Sequence, residues 1–131
     1  MSITFASLGI SELIAYAEQY DIEIELNKDT NTSSYVEFRP RKVFISATDS
    51  LLVEGKYSIE EIYRATFSHE LGHLQAHYET IHGEEVYDYY CELTAWKLGE
   101  SIYKQVYGEP PASYYEIRKQ CLTSHGYWRE A

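Results

Sequence analysis

The residues best able to do chemistry gather at His69-Glu70-Leu71-Gly72-His73, an H-E-x-x-H sequence. On a helix, residues four apart share one face and lie about 6 Å apart along the axis, so both imidazoles can reach one metal ion. Two neutral nitrogens and a carboxylate that sits beside the ion without ligating it are what a hydrolytic zinc site needs, the carboxylate taking a proton from metal-bound water. The spacing therefore predicts one zinc ion per chain, with His69 and His73 as ligands and Glu70 as general base.

The element that must carry this motif is a helix from about Ser58 to His77. Ser58-Ile59-Glu60-Glu61 has the capping-box form, with an acid three residues after the serine, which marks the helix start. At about 100° per residue, Ile62, Ala65, Thr66, His69, His73 and Ala76 fall on one strip, with Tyr63, Phe67 and Leu74 beside it. Glu61, Arg64, Ser68 and Gln75 fall on the opposite side, which is expected to face solvent. Glu70 points into the buried face, where an uncompensated carboxylate is costly, so a cation or strong donor is expected near it.

A catalytic zinc usually has three protein ligands and one open position. The next helix, from about Glu84 to Tyr107 and closed by Gly108 and the Pro110-Pro111 pair, is the place to look for the third. Its apolar stripe reads Cys91, Ala95, Leu98, Ile102, Val106. Asp88 lies about 20° and Glu92 about 60° from Ala95 on the same flank, so two acids face inward. Either could ligate, or Asp88 could orient a ligand histidine by accepting its second N–H. The small residues Ala95 and Gly99 would let the two helices approach closely. Cys91 could serve as a soft ligand, but it points about 100° away from Glu92 and reads as a packing residue. His77 reads as a supporting or structural neighbour of the ligand strip, and His82 and His125 as surface residues.

Upstream, Ser11 can cap a short helix reaching about Tyr20, with Leu13, Ile14 and Ala17 inward. Ile22 to Leu26, Tyr35 to Arg39 and Lys42 to Ala47 alternate apolar and polar residues, as half-buried strands do. Three strands in succession predict a small, mainly antiparallel sheet, with Lys42 to Ala47 as an exposed edge able to hold an extended peptide as an added strand. Ser113 to Ser124 suits a last helix. The expected class is α+β, a single domain over 1–131: N-terminal helix, three-stranded sheet, metal helix, ligand helix and C-terminal helix.

Composition narrows the function. The net charge of −10 argues against a nucleic-acid-binding surface, which needs excess Lys and Arg, and favours a basic protein partner. No apolar run approaches a membrane span, and the N-terminal stretch lacks the basic leader of a secretory signal, so a cytoplasmic protein is expected. Cys91 and Cys121 form no C-x-x-C pair and read as separate thiols.

Taken together, His69-Glu-Leu-Gly-His73 with His77 beyond it, after a three-stranded stretch, and Glu92-Leu-Thr-Ala95 on the following helix, resembles the ImmA/IrrE-type zinc metallopeptidases of the gluzincin group. The resemblance spans roughly Ile22 to Gly99. It implies a zincin-like fold, Glu92 as the third zinc ligand, and cleavage of a protein substrate, in that family often a helix-turn-helix repressor of a phage or stress circuit. Past the ligand, Trp96-Lys97-Leu98-Gly99-Glu100-Ser101 departs from the apolar, proline-closed segment common in that family. Two other readings are compatible with the composition: a zinc-stabilised protein that acts by binding alone, as an antirepressor would, and an acidic mimic of DNA. The second gives no reason for a buried strip of Glu and His.

Overall fold

The computed structural model describes residues 5–27, 34–38, 41–46, 55–79 and 89–124. A short 3-10 turn, Phe5–Leu8, leads into helix α1, Ser11–Gln19, and then into strands β1 (Glu23–Asn27), β2 (Tyr35–Phe38) and β3 (Arg41–Ser46). Helices α2 (Ile59–Glu79), α3 (Tyr89–Tyr107) and α4 (Ala112–Ser124) follow. The fold is α+β with a small three-stranded sheet, as expected. Among the described residues no helix is long and apolar enough to cross a membrane.

The sheet differs from the expectation in two ways. Its order is β1-β3-β2, with β1 parallel to β3 and β2 antiparallel to β3, so the sheet is mixed and not mainly antiparallel. Lys42 to Ala47 was expected at an edge, yet its described part lies in β3, the central strand. The burial pattern of β3 explains the placement: from Val43 to Ser46 every residue is buried, as in a strand covered on both faces, and strict alternation no longer applies. Periodicity cannot report strand order, because β2 and β3 form a hairpin-like pair while β1 reaches the far side of β3.

Helix α2 is central. Its start is fixed as the sequence indicated: the Ser58 N–H donates to Glu61 Oε1 at 2.9 Å, and the Glu61 N–H donates to Ser58 Oγ at 3.1 Å. Helix α1 begins differently. Ile10 occupies the cap position without a side-chain hydrogen bond, and Ser11 is already helical, so Ser11 is not the cap. The buried Ile10 is held instead by apolar packing with Leu8, Leu13 and Ala17.

The solvent side assigned to α2 is also revised. Ser68 is fully buried and Arg64 half-buried, because α3 and the N-terminal turn close over that side. Arg64 donates through Nε to the Gly9 carbonyl at 2.9 Å, pairs with Glu60 at 3.0 Å, and stacks its guanidinium 4.2 Å from the Tyr107 ring centre. One core runs from Leu8 and Leu13 through Val43 and Ile45 to Ile62, Phe67, Trp96, Tyr114 and Ile117.

Candidate metal centre

Helices α2 and α3 pack backbone to backbone, and two glycines make that possible. A Cβ added to Gly72 would collide with the carbonyl oxygen of Ala95, and one added to Gly99 would lie 2.7 Å from the carbonyl oxygen of Ser68. Gly72 is thus the residue within the H-E-x-x-H turn that brings α3 against the two histidines.

That approach rotates α3 relative to the apolar stripe. Its inward face holds Glu92, Ala95, Trp96, Gly99, Ile102 and Tyr103, while Leu98 is only half-buried. The face therefore lies about 60° from the centre of that stripe, on the side of Glu92, which moves from a flank to near the centre. An aliphatic-only pattern misses this because the largest buried side chain on the helix is Trp96, and Gly99 contributes no apolar side chain to a stripe.

The outcome is a convergence of His69, His73 and Glu92, whose potential ligand atoms all lie within 4.8 Å of one another. Glu92 Oε1 is 3.0 Å from His73 Nε2, and Glu92 Oε2 is 3.2 Å from His69 Nε2. All three residues are buried, with 7–8% of their surface exposed. Glu92 Oε2 is buried without an aligned hydrogen-bond donor among the described residues. Burial by itself would raise the Glu92 carboxyl, but the two imidazoles outweigh it and hold the group well below the usual carboxylate range. Glu70 shows the opposite: burial first, then the negative charge of Glu92, push its carboxyl well above the usual range.

These observations fit a metal ion. Two imidazole nitrogens and a carboxylate are a donor set that suits zinc, and one ligand atom from each lies within 4.8 Å of the others. A buried carboxylate whose two oxygens each face an imidazole nitrogen, at 3.0 and 3.2 Å, is a donor set that a cation would neutralise. His69, His73 and Glu92 are the residues that could hold such an ion, and Glu70 lies next to them without joining the cluster.

His69 is flanked by aromatic surfaces. Its ring stacks on Trp96 with centroids 4.2 Å apart and planes 18° from parallel, and meets the His73 ring edge-on at 4.5 Å. Trp96 carries no weight in a search for ligands or bases, yet it lies one helical turn after Glu92, and that spacing is the signal that could have found it. Asp88, His82 and His125 lie outside the described residues, as do the side chains of His77 and Cys91. Cys121, on α4, is a half-buried thiol. Compared with known proteins, the chain matches no family model, no curated protein and no solved structure.

Proposed function

We propose that this protein is a zinc-dependent peptidase of zincin type, with one zinc ion held by His69, His73 and Glu92 and with Glu70 as general base. The observation that carries the reading is the arrival of Glu92 from α3 between the two histidines of α2, next to a second buried acid that is not part of the donor cluster. A structural site would normally close all four positions with protein ligands, whereas the three donors found among the described residues leave one for water or substrate.

A zinc ion bound there would acidify a water molecule and polarise a peptide carbonyl. The chain's own part is proton transfer and positioning. Glu70 accepts the proton of the attacking water as the C–O bond forms, then returns it to the leaving amine as the C–N bond breaks, so that peptide plus water give acid and amine. It lies buried beside Glu92, and burial followed by that neighbouring charge makes its carboxyl hold a proton more readily than an exposed acid would. Gly72 and Gly99 hold the third ligand in register.

For substrate we infer a protein segment, basic in character and in keeping with the resemblance a transcriptional regulator. The charge of −10 supports attraction to a basic partner, an effect on encounter rate that salt would weaken. Since β3 is central, an extended substrate would add to an outer strand. The outer strand packed against α2 is β2, which makes its outer edge, unpaired among the described residues, the better candidate. The test is to incubate the zinc-loaded protein with a mixture of basic peptides and read products by mass spectrometry. Cleavage that a chelator abolishes and that Glu70→Gln lacks supports the peptidase. A wild-type protein that binds a partner tightly and leaves it intact favours action by binding.

A further inference from the structure

We propose that Trp96 is a positioning residue for the metal centre: its indole face fixes the plane of the His69 imidazole, and helix α4 holds that indole in place. The proposal rests on the zinc reading of the site and adds to it a determinant outside the donor set.

An imidazole must aim one nitrogen at a point shared with other ligands. Its χ2 torsion is broad, so rotamer preference does not set that aim and neighbours must. His69 has a flat wall on one side, the Trp96 ring at 4.2 Å and 18°, and the edge of His73 on another, at 4.5 Å and 69°. Rotation of the His69 ring would drive it into the indole. The same helix thus delivers the third ligand, Glu92, and one turn later the wall that orients the first.

Trp96 is in turn fixed from behind. It is fully buried, and Tyr114 of α4 meets its ring edge-on at 5.9 Å while directing its hydroxyl toward the Trp96 carbonyl at 3.4 Å. Tyr103 packs on Tyr114 at 5.0 Å, extending the aromatic line back to α3. The indole Nε1 is buried without a hydrogen-bond partner among the described residues, a cost that Phe or Leu would avoid if the position only needed filling. What the indole supplies and Leu does not is a broad planar face.

The test uses the full chain with Trp128→Phe, which leaves Trp96 as the single tryptophan. Cobalt titrated into this protein should quench Trp96 emission to an end point at one equivalent, in step with the visible absorption of tetrahedral cobalt. Against that background, Trp96→Leu should bind zinc and cobalt about 10–100-fold more weakly, the usual effect of losing a partner that orients a ligand, with altered cobalt bands. Trp96→Phe, which keeps a flat ring, should recover most of the affinity and the wild-type band positions. Affinities are compared at equal folded fraction by circular dichroism. If Trp96→Leu binds cobalt as tightly as wild type with unchanged bands, Trp96 is a packing residue only. If Trp96→Leu does not fold, the proposal is overturned instead by unquenched emission at full cobalt occupancy, or by a Trp96→Phe variant that folds yet binds cobalt about 10-fold or more weakly than its parent with shifted bands, since the flat ring it keeps would then not orient His69. A parent protein that takes up no cobalt or zinc refutes the metal reading itself, a result distinct from either.

Discussion

Gly72 faces the backbone carbonyl of Ala95 so closely that a methyl group on Gly72 would collide with it. This contact sets the distance between the helix that bears two histidines and the helix that bears Glu92. Helix propensity alone would make Gly72→Ala stabilising by about 1 kcal/mol. The packing predicts the reverse sign, a loss of about 1–3 kcal/mol typical of overpacking, together with weaker zinc binding as α3 is pushed away. Chemical denaturation with and without zinc would measure both.

Glu92→Ala should lower zinc affinity well beyond the 10–100-fold expected for a partner outside the donor set, since it removes the carboxylate that both histidines face. Glu70→Gln should keep zinc and fold while losing hydrolysis. A chelator competition assay on both variants separates the roles, and zinc loss in Glu70→Gln would overturn the assignment of base.

Arg64 is expected to govern stability without governing the site. It ties α2 to the Gly9 carbonyl and the Tyr107 ring and pairs with Glu60 one turn earlier on the same helix, away from the histidines. Arg64→Ala leaves a half-buried carbonyl short of a charged donor, which costs about 1.5–3 kcal/mol. Thermal melts should show that loss, whereas zinc affinity at equal folded fraction should stay within a few-fold of wild type.

The capping box offers a pH test. Glu61 has its carboxyl lowered first by the Ser58 backbone N–H. A carboxyl lowered in the folded state contributes stability above its unfolded value, and that contribution is lost as pH falls through the folded value. Ser58→Ala and Glu61→Gln should therefore destabilise at pH 7, Ser58→Ala by about 1 kcal/mol, and the Glu61→Gln difference should shrink toward pH 3. A difference that grows on acidification would contradict the cap.

The pairing of the two histidines on α2 can be read from sequence because H-E-x-x-H fixes its own geometry once the helix forms, and the capping box says where that helix starts. Periodicity narrows the third ligand to Asp88 or Glu92, and the resemblance favours Glu92. The geometry that brings it in comes from the close approach at Gly72 and Gly99, which rotates α3 in a way an aliphatic stripe does not record. Strand order is beyond the reach of sequence for a related reason. Alternation at β1 and β2 reports one buried face each, but nothing local tells β3 that it will be covered on both sides, and so alternation alone puts the central strand at an edge. Trp96 escapes a search for reactive groups because its part is played through His69 and not through chemistry of its own.

Whether His69, His73 and Glu92 hold a zinc ion is tested most directly by elemental analysis of protein purified without chelator. The expected result is close to one zinc per chain in the wild type and in Glu70→Gln, and little in Glu92→Ala; a wild-type content below about 0.2 per chain, unrestored by added zinc, would contradict the zinc site.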